Sequence, residues 1–202
     1  MHLNLFINSK VIYKMLWEER KEKILAKLQS EIARGNVDRD IIPLLQLINS
    51  HARYVTLSSC SGRIAVLDLP KFGAKRECEF RGKWHERVCV EEVKTALKNC
   101  RKEGWLVMQP AILHVGCKTV EDAEKLLGIA EQTGFRESCI ISLRKNVVRI
   151  RSSERIETIL SKNGKILVSG KYLETIVRTA NQKLERTRSK IEELKENLGK
   201  FL

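Results

Sequence analysis

None of the eleven glycines stands two residues from another, so the chain has neither a G-x-G-x-x-G fingerprint nor a phosphate-binding P-loop. A Rossmann-type nucleotide site is left without support. The six cysteines (Cys60, Cys78, Cys89, Cys100, Cys117 and Cys139) form no C-x-x-C pair and no His/Cys grouping at zinc-finger spacing. No disulfide framework and no metal are expected; mostly free thiols in a reducing, cytoplasmic setting are. No segment is apolar for long enough to span a bilayer, and residues 1–16 lack the pattern of a signal peptide. Aromatics are 5% of the chain, so aliphatic side chains must build the core. Acidic residues are outnumbered by basic ones, giving a formal net charge of +13 over 202 residues. An anionic partner, most commonly nucleic acid, is the expectation. Residues 144–202 hold 15 Lys/Arg and 7 Asp/Glu, so this tail carries most of the excess. A lysine-rich soluble surface with no partner is the plainer alternative.

What is present concentrates between Thr56 and Arg63. Three serines, a threonine, a thiol, a glycine and an arginine lie within eight residues, between the apolar runs Tyr54-Val55 and Ile64-Ala65-Val66-Leu67. The pattern predicts strand, tight turn, strand, with Ser61-Gly62 in the turn. Converging turn amides, the hydroxyls of Ser58, Ser59 and Ser61, and the planar fork of Arg63 suit an anion such as carboxylate or phosphate. Composition alone favours a plain Ser/Gly hairpin with a surface arginine.

Around this stretch the periodicity alternates between helix and strand. Residues 1–13 read as an extension or a first strand, 17–34 as a helix closed by Gly35-Asn36, and 41–48 as a second helix with Pro43 in its first turn. The basic, glycine-containing segment 68–76 reads as an exposed loop, 83–86 as a short strand, and 90–102 as a helix. Residues 105–115 are strand-like with a break at Pro110. Residues 119–132 form a helix, and 135–151 give one or two strands. Asn163-Gly164 joins two short strands as a hairpin. From Lys171 to about Leu198, Leu173, Val177, Ala180, Leu184, Thr187, Ile191, Leu194 and Leu198 alternate by four and three, a heptad seam. That seam docks either on the protein's own sheet or on a partner helix in a homodimer. The whole is expected to be a single mixed α/β domain over residues 1–202, with a long C-terminal helix.

Among chemically capable residues, His114 ends an apolar strand, where an imidazole can move a proton near neutral pH. Asp38 precedes a helix and reads first as a cap. Cys60 lies near Arg63, which favours its thiolate. His2, His51 and His85 have no evident partners.

The segment Thr56-Leu57-Ser58-Ser59-Cys60-Ser61-Gly62-Arg63 resembles the signature [S/T]-x-S-S-C-x-G-R of the tRNA wybutosine-synthesising protein 3 family. Val37-Asp38, Ile112-Leu113-His114-Val115, Gly134-Phe135-Arg136-Glu137-Ser138 and, in the last helix, Lys171-Tyr172 and Ala180-Asn181-Gln182-Lys183 resemble its other segments in order. Only residues 1–15 lie outside the similarity, and the compact build suggests the archaeal branch. The resemblance implies an S-adenosylmethionine-dependent methyltransferase that acts on ring nitrogen 4 of the wyosine-type base beside the anticodon of phenylalanine tRNA. It implies an unusual α/β fold that is not Rossmann-type. It places Asp38, Ser59, Cys60 and His114 as catalytic residues, and Thr56, Ser58, Ser59, Gly62 and Arg63 against the cofactor. The chain departs from the family pattern at Gln109-Pro110, where Glu-Pro is usual, and at Cys139, where Gly is usual. Lys71, Lys75, Arg76 and the basic tail are expected to hold the tRNA backbone, and Trp84 or Phe72 to stack on the modified base. A non-catalytic RNA-binding module is the competing expectation.

Overall fold

The computed structural model describes the backbone of residues 3–70 and 77–201, with side chains from Leu16 onward. The chain opens with one long helix, α1 (Leu3–Ala33), rather than an extension or a strand. The mixed order of apolar and polar residues in LNLFINSKVIYKML hides the helical period, but the helix continues upstream of Trp17 without a break. Trp17 is buried and donates its indole Nε1–H to the Ala52 carbonyl at 2.9 Å, which seats α1 beside the following strand. A 3₁₀ turn (Arg39–Ile41) and helix α2 (Ile42–Ser50) follow, with Pro43 in the first turn of α2.

Strands β1 (Tyr54–Cys60) and β2 (Arg63–Leu69) flank Ser61-Gly62, but they do not pair. β1 is the edge of a four-stranded antiparallel sheet of order β1-β5-β7-β6, with β5 at Ile112–Cys117, β6 at Cys139–Ser142 and β7 at Val147–Arg151. β2 lies inside a five-stranded antiparallel sheet of order β3-β2-β4-β8-β9, with β3 at Glu79–Trp84, β4 at Glu103–Gln109, β8 at Ile156–Lys162 and β9 at Lys165–Ile166. The expected hairpin is therefore a crossing between sheets. The chain crosses again at Pro110-Ala111, from β4 to β5, and between Arg151 and Ile156, from β7 to β8.

Helices cover one side of each sheet. Helix α3 (Val90–Lys98) ends four residues earlier than the periodicity suggests, and α4 (Val120–Gln132) is capped by Thr119, the residue at which the periodicity began that helix. Two apolar cores result. Leu44, Ile48, Leu113, Leu126, Phe135 and Ile150 lie under the first sheet; Ile64, Val66, Leu97, Leu106, Met108 and Leu160 lie under the second. Helix α5 (Gly170–Phe201) serves both. Leu173, Val177, Ala180 and Leu184 enter the second core, while Ile191, Leu194 and Leu198 enter the first. The heptad seam is thus filled within its own chain and is not free for a partner helix.

Asp68 is buried rather than part of an exposed loop. Its carboxylate accepts hydrogen bonds from the Arg101 and Lys102 amides at 2.8 and 2.9 Å and from Arg81 at 2.9 Å. Burial alone would raise its pKa, but these donors outweigh it and hold the group below its ordinary value. Lys71, Phe72, Lys75 and Arg76 lie outside the described residues. All six cysteines are free thiols. No helix among the described residues is long and apolar enough to cross a membrane.

Candidate active site at the crossing of two sheets

The three crossings lie side by side, and their residues line one cleft of about 480 Å³: Cys60 and Arg63 from the first, Gln109 and Pro110 from the second, Arg151 and Arg155 from the third. Gly62 makes the first crossing possible. Its φ is +102°, a region closed to most side chains, and a Cβ there would stand 3.2 Å from both the Gln109 carbonyl and Leu184 Cδ1. The backbone needs glycine for its conformation and for the close approach of the neighbouring crossing.

The turn amides expected to hold an external anion are already occupied. The Ser61 amide and hydroxyl donate to Asp38 Oδ2 at 2.8 and 3.0 Å, and the Gly62 amide donates to the Cys60 sulfur. The anion is the chain's own Asp38. Asp38 does not cap its 3₁₀ turn; its side chain makes no cap bond. Its second oxygen lies 3.2 Å from Nδ1 of His85, a residue whose lack of a sequence partner concealed it. The Arg188 guanidinium donates to the His85 carbonyl and pairs with Asp40 at 2.9 Å, tying this corner to α5. Asp38, Cys60 and His85 bring donor atoms within 4.8 Å of one another, the one such trio of potential metal ligands among the described residues. Sequence spacing could not show it, because the members are distant in the chain.

Cys60 differs from expectation. Burial raises its thiol pKa, the nearby Asp38 charge raises it further, and the Gly62 amide and Arg63 compensate only in part. The thiolate is therefore not favoured, and Cys60 sits poorly as a nucleophile.

On the face of the first sheet that carries Cys60, two cross-strand rows run side by side. Cys60, Ile112 and Arg151 form one; Ser58, His114 and Arg149 form the other. Ser58 Oγ lies 2.7 Å from His114 Nδ1. Burial and the positive charge of Arg149 lower the His114 pKa, so its imidazole stays neutral at neutral pH. With the proton on Nδ1, it donates to the Ser58 hydroxyl oxygen, is held in one orientation and keeps the Nε2 lone pair free.

Arg63 donates its Nε–H to Gln109 Oε1 at 2.8 Å, and its guanidinium carbon lies 5.5 Å from the Phe80 ring centre. Gln109, a departure from the family pattern, thus has a direct structural use. Arg63, Gln109 and Val107 share one face of the second sheet, opposite the core-facing Ile64 and Met108.

Not all the signature residues meet in the same cleft. Thr56, Leu57, Ser58 and Ser59 border a second hollow of about 360 Å³ at the free edge of β1, closed on its far side by Ile24 and Leu28 of α1. Thr56 is fully engaged with Asn49, donating its amide to Oδ1 and accepting from Nδ2, both at 2.8 Å. Trp84 joins neither hollow. Its half-buried ring lies against Gly82, packs on the second core and lines a separate open hollow with Arg81 and residues of α3.

The family model described as methyltransferase TYW3 matches residues 19–200. The chain belongs to this family. A protein of Pyrococcus furiosus named tRNA(Phe) 7-((3-amino-3-carboxypropyl)-4-demethylwyosine(37)-N(4))-methyltransferase 1 is 44% identical over 185 residues, 90% of this chain and 94% of its own length. An Archaeoglobus fulgidus protein of the corresponding name is 48% identical, over 91% of this chain and 94% of its own. The solved structure of the PH1069 protein from Pyrococcus horikoshii superimposes with a TM-score of 0.88 at 42% identity, covering 92% of this chain and 97% of that one. The chain's mixed α/β fold, with two antiparallel sheets and a long C-terminal helix, is not the Rossmann arrangement, which the missing glycine fingerprint had left without support.

Proposed function

We propose that the protein methylates nitrogen 4 of a 7-aminocarboxypropyl-demethylwyosine base at position 37 of phenylalanine tRNA, using S-adenosylmethionine, in the cytoplasm. The observation that carries this is identity of 44–48% over about nine tenths of the chain with proteins named for that reaction. Residues 1–202 are read as one domain, since α5 supplies side chains to both cores.

The residues suit such a donor. Ile24, Leu28, Val37 and Leu57 give the hollow at the β1 edge apolar walls for an adenine ring. Thr56, Ser58, Ser59 and Gly62 belong to the strand and turn that join it to the crossing cleft. There Arg63, with only its Nε committed, has guanidinium donors left for a carboxylate. S-adenosylmethionine, when bound, supplies an electrophilic methyl on a sulfonium. The chain's part is alignment, because in-line displacement depends on holding acceptor and donor collinear. Neutral His114, steadied by Ser58, is placed to take the acceptor proton at Nε2. Asp38 acts by holding the Ser61 turn. This chemistry requires no metal.

Not all of the tail's cations are available to RNA. Lys183, Arg186 and Lys190 neutralise the buried Glu154, at 3.3, 3.3 and 3.1 Å, and are structural. Arg149 forms no ion pair with a described residue, and with Lys71, Lys75 and Arg76 it is a proposed contact for the tRNA backbone. Incubation with undermodified phenylalanine tRNA and labelled S-adenosylmethionine, followed by nucleoside mass analysis, tests the activity. Transfer of label to the wyosine-type base is expected. RNA binding without transfer would leave the non-catalytic module.

A further inference from the structure

The crossing cleft holds charges of both signs. Arg63 and Arg151 enter from opposite sheets, Arg155 from the third crossing, and Glu157 from β8, opposite Val107 in the ladder with β4. Arg63, Gln109 and Glu157 project from the same face of the second sheet, and Arg151 from the Cys60 face of the first. Glu157 and Arg155 make no ion pair with a described residue. Arg151 reaches Glu137 only at 3.7 Å, through Nε. One row away, Arg149 carries a buried Nε with no hydrogen-bond partner. A cleft with three guanidinium groups and one uncommitted carboxylate is not built for phosphate alone, because Glu157 would repel it. It matches a group with a carboxylate and an ammonium on the same carbon: the arginines take the former in forked geometry, and Glu157 takes the latter.

We infer that the cleft between the sheets is a receptor for a 3-amino-3-carboxypropyl group, with Arg151 and Arg155 binding its carboxylate and Glu157 its ammonium. The inference rests on the proposed reaction, in which that group occurs twice. The methionine portion of the donor is one instance, and the side chain on the acceptor base is the other. Either source presents the same zwitterion, and the protein's selectivity for the acceptor or its grip on the donor depends on these three side chains.

The test compares wild type with Glu157→Gln and Arg155→Ala, and adds Glu137→Gln as a control that removes only the weak tether on Arg151. Calorimetry is run with S-adenosylmethionine and with 5′-methylthioadenosine, which lacks the amino-acid tail. Methylation is run on tRNA bearing the aminocarboxypropyl side chain and on tRNA bearing the same base without it. Losing one charge-assisted contact weakens the affected ligand by about ten- to a hundredfold. If the donor is the source, the variants lose affinity for S-adenosylmethionine but not for 5′-methylthioadenosine. If the acceptor is the source, KM rises only for the tRNA with the side chain. Equal effects on both members of each pair, or none, overturn the receptor while the methyltransferase reading stands. No label transfer by wild type to either tRNA, with no preference for the tailed donor, sinks both.

Discussion

Asp38 and Ser61 lie 23 positions apart in the chain, yet one carboxylate oxygen of Asp38 accepts from both the amide and the hydroxyl of Ser61. That contact fixes the first sheet crossing and leaves the other oxygen for His85. Replacing Asp38 with Ala strands a part-buried amide and frees the imidazole. A loss of about 1–3 kcal/mol in stability is expected, together with a fall in turnover larger than the loss of donor affinity. Ser61→Ala removes the hydroxyl alone and should cost roughly 0.5–1.5 kcal/mol. Chemical denaturation and single-turnover methylation measure both. An Asp38→Ala protein of wild-type stability and rate would remove the residue from the site.

Gly62→Ala tests the crossing itself. A Cβ there must tolerate φ +102° and an approach of 3.2 Å to a backbone carbonyl. Strain of about 1–3 kcal/mol is expected, with the loss of activity exceeding the loss of stability. Gly35 also has a positive φ, +73°, but a Cβ there meets nothing within 4 Å, so Gly35→Ala should leave activity untouched.

Arg63→Ala should weaken S-adenosylmethionine binding roughly tenfold or more, since it removes a charged donor from the cleft. Calorimetry decides it. Unchanged affinity would show that Arg63 serves Gln109 and Phe80 only.

The acid limb of activity should follow His114. Burial and Arg149 both depress its pKa, so the neutral form needed to accept a proton persists below the usual histidine range and is lost as pH falls through the lowered value. Arg149→Met removes one of the two causes, the positive charge. The limb should then shift to higher pH in a kcat–pH profile, whereas a purely structural Arg149 would lower the rate at every pH alike.

Glu154 tests the link between α5 and the third crossing. Burial alone would raise its carboxyl, but Lys190, Lys183 and Arg186 outweigh it and hold the pKa below the ordinary value. A depressed carboxylate contributes stability fully above the unfolded pKa, about 4.3, and loses it as pH falls through the folded value. Glu154→Gln leaves three partly solvated cations around an uncharged side chain and should cost about 1–3 kcal/mol near neutral pH. Denaturation at a series of pH values should show that gap closing only in acid.

Periodicity and turn chemistry determine much of this protein without reference to its shape. The helix with Pro43 in its first turn, the Asn163-Gly164 hairpin and the strand break at Pro110 all depend on neighbours a few residues away, so they are legible in order. The signature from Thr56 to Arg63 is likewise local and identifies the family. Tertiary structure alone decided that β1 and β2 part company at Gly62, because pairing partners are chosen by long-range burial on each sheet and not by the turn between them. It decided that the heptad seam of α5 closes two cores of its own chain, that Asp38 fills the anion site of the turn, and that His85 and Glu157 belong near it. Each of these joins residues tens of positions apart, and such meetings are set by how apolar faces are covered, which no short stretch of sequence records.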